Sequence, residues 1–233
     1  RGSTGWFQAG ADRFESFGEF NLESAVDWAI ELAVDSQVVL GGDAVGLGNG
    51  GGHLLELLAA GDATLDAVLD ADDFVSSLVS KTPEVIAFLK QAGMTERLID
   101  LVVSGETPPV ALNADPAEIP AEVQVSRRRA YVAYQALTTD VLVEILIEDY
   151  TLLDKLFSFL DHPSQNDALK NGYFSKIVLT TYEKYPAELF LYFSIRAHMV
   201  AKFCQNIKNL FVMELLFKFI DSLSSHQWLA DEQ

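Results

Sequence analysis

Apolar residues recur along this 233-residue chain at helical spacing, but in short bursts. In "NLESAVDWAIELAV" (21–34), Asn21 is a candidate cap, and Leu22, Val26, Ala29, Ile30 and Ala33 fall on one face. "HLLELLAAGDATLDAVLDADDFVSSLVSK" reads as two or three short helices broken at Gly61 and near Asp70. "TPEVIAFLKQAG" carries a Thr82 cap, Pro83 in the first turn and Gly93 as a stop. "TERLIDLVVSG" repeats that grammar with Thr95 and Gly105. Four of the seven prolines fall in "ETPPVALNADPAEIPAE", so 104–125 is expected to be a loop. From Ser126 to Leu223 the pattern is helical with short breaks. Only "QVVL" (37–40) and "VQV" (123–125) hint at strands. The pattern predicts an all-α chain with more helix than the usual third. Stacked helical hairpins, an α-solenoid of the HEAT or armadillo kind, are the expected architecture. "LFSFLD" at 156–161 and "LFKFID" at 216–221 echo each other, as repeats would.

One stretch needs a choice between chemistry and scaffold: "FLDHPSQNDALKNGYFSKIVLTTYEKYP" (159–186). His162 to Asp167 is polar and turn-forming, and Pro163 blocks helix continuation. Tyr173, Phe174, Ile177 and Val178 then form a stripe at i, i+1, i+4 and i+5. The segment is therefore expected to be a joint between stacked helices. Gly172 is expected to let a neighbouring helix approach closely, and Lys176 falls outside the stripe.

Composition supports a packed protein: 49% of residues are hydrophobic and 21% charged. The greasiest run, "ELFLYFSI", is far short of the roughly 20 residues that cross a membrane. No basic start leads into an apolar run, so a secretory leader is not expected. The chain begins Arg1-Gly2-Ser3 rather than with methionine, as a segment cut from a longer protein would. The net charge of −18 is uneven. Residues 1–126 hold 5 basic and 21 acidic residues, while 127–233 hold 11 and 13. Such an acidic first half disfavours nucleic acid and anionic membranes as partners and favours basic ones.

Candidate chemistry is sparse. Gly46-Leu47-Gly48-Asn49-Gly50-Gly51 matches the spacing of a dinucleotide loop, but no second strand with a terminal acid follows, so a plain glycine-rich loop is expected. His53, His162, His198 and His226 lack metal-ligand spacing. "LDADDF" (69–74) lacks a calcium-loop pattern, and Asp72 or Asp73 is expected to serve a helix start. "SRRR" (126–129) is expected to be a solvated basic helix opening. The single cysteine, Cys204, excludes an internal disulfide, favours a reducing compartment and is expected to be buried. No catalytic, cofactor or metal residue is assigned, and no enzymatic activity is expected.

Four blocks in order resemble the SAPS-domain family of phosphatase 6 regulatory subunits. "TLDAVLDADDFVSSLVSKTPEVIAFL" has the family's acidic pair and apolar-Phe-Leu ending, running from Phe74 to Phe88 and Leu89. In "ALTTDVLVEILIED", Leu137, Thr138, Asp140 and Val141 match a Leu-Thr-Cys-Asp-Val segment, with Thr139 in place of the cysteine. Phe159 to His162 resemble Phe-Leu-Asp-His, and Tyr173 to Lys176 resemble Phe-Phe-Ser-Lys. "NIKNLFVMELLFKFI" is similar to a family helix with an acid-Leu-Leu pattern. The resemblance covers about 65–221. Asp167 and Ala168 depart from the family's Asn-Pro turn, and the 104–125 loop is longer. Residues 1–52, with the glycine-rich loop, form a segment without a match, and 53–233 the helical-repeat domain. The family domain is longer than this chain.

The resemblance implies a non-catalytic regulatory scaffold, cytoplasmic and also nuclear, that binds the protein phosphatase 6 catalytic subunit and helps direct it to substrates. An ankyrin-repeat third subunit is a further implied partner. The exposed members of the matching blocks, Asp140, Asp161, His162 and Lys176, are the candidate partner contacts. The alternative for Asp140 and Asp161 is that they flank helix ends, and a scaffold with an unrelated client is the alternative for the whole. A far-UV circular dichroism spectrum should be dominated by helix. More than about a fifth strand, an ordinary globular content, would contradict the all-α reading.

Overall fold

The computed structural model describes residues 53–61, 63–103, 119–161 and 168–225. The 21–34 pattern, "QVVL", the glycine-rich loop, most of the proline-rich loop and the 162–167 joint lie outside the described residues. Among the described residues the chain is all-α, with twelve helices and no strand.

The first five helices are short: α1 (His53–Ala59), α2 (Leu65–Leu69), α3 (Phe74–Val79), α4 (Pro83–Leu89) and α5 (Met94–Val103). Local chemistry sets their ends. The Thr64 hydroxyl accepts the Ala67 amide at 3.2 Å and caps α2. Pro83 opens α4, where its missing N–H costs nothing. Gly61 follows α1 with φ +79°, and its amide donates to the Leu58 carbonyl. Lys81 stands in the equivalent place after α3. Its φ is +56°, its amide donates to Leu78, and the Thr82 amide reaches back to Ser77. That pair of bonds is a Schellman ending, whose left-handed position normally belongs to glycine. Lys81 is the non-glycine residue with positive φ among those described.

Thr95 departs from its expected capping role. It lies inside α5, and its buried hydroxyl donates to the Leu89 carbonyl at 3.1 Å. Gly93 adopts φ +83° just before α5 rather than closing α4, which ends at Leu89.

α6 (Ala121–Leu137) begins directly after Pro120, so 121–125 is helix rather than loop, and "VQV" is helical. Gln124 Nε2 donates to the Ile119 carbonyl at 2.9 Å and ties down this start. α7 (Asp140–Glu148) leaves α6 at a 78° bend. Thr138 and Thr139 make the bend affordable in hydrogen bonds. Their hydroxyls donate to the carbonyls of Gln135 (2.9 Å) and Ala136 (2.6 Å), the second of which also accepts the Thr139 amide at 3.0 Å.

α8 (Tyr150–Phe157), capped by Asp149, runs into a 3₁₀ turn (Ser158–Asp161). Then come α9 (Ala168–Lys184), α10 (Pro186–Ile195), α11 (His198–Gln205) and α12 (Leu210–Ser225). Contacts pass down the chain: α1 to α4, α3 and α5 to α6, α5 to α8 and α9, α9 to α10 and α12. Successive pairs stack, as in a helical-repeat array.

α9 is the hub. Its predicted stripe is its buried face: Tyr173, Phe174, Ile177 and Val178 are each at most 1% exposed. Phe174 stacks on Phe159 at 4.5 Å and meets Phe157 edge-on at 5.8 Å. Tyr173 stacks on Tyr134 of α6 at 4.7 Å. Asn206, buried after α11, donates to the Leu160 carbonyl at 2.8 Å and secures the 3₁₀ turn. Two expectations fail. A Cβ on Gly172 would meet nothing within 4 Å, so no close helix approach requires that glycine. The two echoing hexamers also differ: 156–161 ends α8 with Leu156, Phe157, Phe159 and Leu160 buried, whereas 216–221 lies inside α12 with Phe217 and Ile220 exposed.

Truncating Phe174 removes a ring held between two others, and cavities of that kind are not refilled. Phe174→Ala should lose about 3–5 kcal/mol of stability in denaturant titration.

Candidate functional site

Side chains of α3, α6 and α7 leave an open groove of about 460 Å³ between them. Val75, Leu78 and Val79 of α3 form one wall, and Tyr131, Tyr134 and Gln135 of α6 the other. Thr138, Thr139, Asp140 and Val141 close one end, because the 78° bend turns the start of α7 toward the groove. Lys81 stands on the rim.

Gln135 Nε2 donates to the Tyr131 hydroxyl at 2.9 Å, and burial pushes that phenol's pKa up, so it stays protonated. Lys184 of α9 donates to the Asp140 carboxylate. That bond first, with the charges of Lys184 and Lys81 behind it, holds the Asp140 carboxyl below its ordinary range.

Beside the groove, α6 grips the acids of the opening helices. Arg129 binds Asp70 through two nitrogens at 3.0 and 2.6 Å and Asp66 at 2.8 Å. Arg128 reaches Asp72 at 2.9 Å, and Arg97 approaches Asp66 at 3.8 Å. Arg128 and Arg129 of the basic cluster expected to be solvated are thus paired with Asp70 and Asp72 of "LDADDF" and with Asp66. Asp72 serves that pairing rather than a helix start, and Asp73 precedes α3 without a side-chain cap bond. Further along, Lys155 meets Asp100 and Lys202 meets Asp161, at 2.8 and 2.7 Å. Arg196 holds Asp154 through two nitrogens, while the Tyr192 hydroxyl donates to the same carboxylate at 2.9 Å. In each of these pairs the acid lies earlier in the chain than the base.

The four sequence-derived contacts are dispersed among these features. Asp140 is exposed at the groove end and tied to Lys184; Asp161 is exposed at the end of the 3₁₀ turn and tied to Lys202. Lys176 is half-buried on α9 and already engaged. His162 lies outside the described residues. Cys204 is exposed on α11 instead of buried. Among the described residues, no three His, Cys, Asp or Glu side chains gather as metal ligands, and no single helix is long and apolar enough to cross a membrane. Sequence reasoning missed the groove, which needs three helices to exist. Its one local signal was a lysine where a helix end normally carries glycine.

A 166-residue stretch, 68% of the chain, is 26% identical to extragenic suppressor of kinetochore protein 1 of Schizosaccharomyces pombe. Over 190 residues (78%), the chain is 23% identical to serine/threonine-protein phosphatase 6 regulatory subunit 3 of Gallus gallus. Over 103 residues (43%), it is 30% identical to SIT4-associating protein SAP190 of Saccharomyces cerevisiae. Homologues at 22–30% identity are named phosphatase 6 regulatory subunits and SIT4-associating proteins. The matched stretches make up 19%, 20% and 10% of those three proteins, so the chain spans about a fifth of its first relatives. No family model and no solved structure matches.

The ion pairs make stability depend on pH. The hydrogen bonds from Arg129 and from Arg196 hold the Asp70 and Asp154 carboxyls below their ordinary value of 3.8. A lowered folded pKa contributes stability above that value and loses it as pH falls through the folded pKa. Asp154→Asn should therefore melt below wild type at neutral pH. The gap should narrow as melting is repeated at pH values below 3.8.

Proposed function

We propose that this chain is a non-catalytic regulatory region that binds a serine/threonine phosphatase catalytic subunit of the phosphatase 6 type and helps direct it to substrates. The carrying observation is that relatives from distant organisms, matched across much of the helical array, bear phosphatase-regulatory or phosphatase-associating names. The architecture supports the reading physically. Stacked helices present an extended, rigid surface, and a few anchors on such a surface can carry most of a binding energy. The hydrolytic chemistry is assigned to the partner. An ankyrin-repeat third subunit and a cytoplasmic and nuclear location belong to the same proposal.

The partner surface is proposed to include Asp140, Asp161, His162 and Lys176. The test is titration of the purified chain against purified phosphatase 6 catalytic subunit. Binding is expected, with no phosphatase activity from the chain alone. Asp140→Ala, Asp161→Ala and Lys176→Glu, each checked for normal melting, should alter the affinity. If all three match wild type, these residues lie off the interface. A wild-type chain that fails to bind would overturn the proposed partner.

A further inference from the structure

We infer that the groove between α3, α6 and α7 takes an apolar side chain of the bound phosphatase catalytic subunit, with an Asp or Glu side chain of that partner paired to Lys81; this rests on the function proposed above. Three observations converge on it.

The first is shape. The groove's walls are largely aliphatic and aromatic, and Val79, at the end of α3, is 65% exposed on one of them. Its volume lies within the range of clefts that enclose small ligands, which is room enough for a single side chain.

The second is charge. Lys81, like Lys90, Arg127 and Lys208, makes no ion pair among the described residues, and of these four bases it is the one that lines the groove. The rim brings Lys81 and Lys184 to one acid, Asp140. It is thus locally positive on a chain of net charge −18. A partner acid is attracted there, and a partner base is repelled.

The third is backbone cost. The left-handed position after α1 is filled by Gly61, whereas the equivalent position after α3 holds Lys81 at φ +56°. A lysine strains there where glycine would not. Beyond its charge acting on Asp140, the Lys81 side chain makes no hydrogen bond or ion pair among the described residues, so no bond of its own offsets that strain.

The deciding variant is Lys81→Gly. If the lysine served folding, its loss would lower the melting temperature. The expected result is a melting temperature at or above wild type, with affinity for the purified phosphatase 6 catalytic subunit falling at least tenfold. Lys81→Arg should retain binding, and Val79→Asp, on an exposed wall, should melt normally and bind at least tenfold more weakly. Leu191→Asp, on the exposed face of α10, should bind as wild type. If wild type binds and both Lys81→Gly and Val79→Asp bind equally well, the groove is not the docking site and the inference fails alone. If wild type does not bind, the proposed function fails and this inference falls with it. If analytical ultracentrifugation shows wild type self-associating, and the groove variants abolish that while leaving phosphatase binding intact, the occupant is a second copy and the partner assignment is overturned.

Discussion

Helices of five to ten residues do not hold themselves together in water, and most of this array is built from such helices. Nucleating a turn costs more than a few backbone bonds return, so each element persists only while its apolar stripe lies against the next. That constraint explains why α9 matters out of proportion to its length. Its stripe is closed by α5 and α6 behind it and by α10 and α12 ahead of it. The rings of Phe157, Phe159, Phe174, Tyr192 and Phe203 run through this junction as a connected aromatic core.

Charge follows the same order. Apolar burial brings successive helices together without fixing how they are rotated on one another. Paired side chains add that direction, though each exposed pair contributes little alone. Arg129 bridging Asp66 and Asp70 fixes α6 against α2, and Arg196 with Tyr192 on Asp154 fixes α10 against α8. The bend between α6 and α7 adds a third kind of control. Two threonine hydroxyls close one helix, and the next starts across it, which opens the groove.

Much of this was legible in the residues, for a physical reason in each case. The i, i+1, i+4, i+5 stripe of α9 could be read because burial selects residue type along one helix face. The all-α class followed from the same periodicity. Thr95 was misread because a threonine before an apolar run looks like a cap, whereas its hydroxyl closes a turn six residues back. The start of α6 was missed because prolines mark a boundary without saying on which side the helix lies. "SRRR" and "LDADDF" were each read alone, and nothing local to either declares a partner some 60 residues away. The candidate contacts were the members of the matched blocks expected to be exposed; Asp140 and Asp161 are exposed but ion-paired, and Lys176 is half-buried, because burial and pairing across helices leave no mark within one block.

The acid-before-base order of the ion pairs has a consequence for how the protein is made. Synthesis proceeds from the N-terminus, so residues 1–126, with 21 acids and 5 bases, emerge before residues 127–233. The arginines that pair with Asp70 and Asp72 follow only with α6. Until then the nascent segment repels itself, which opposes premature collapse and keeps its short apolar stripes apart. Arrival of α6 supplies the countercharge and the packing surface together, so the first layer closes when its neighbour exists to receive it.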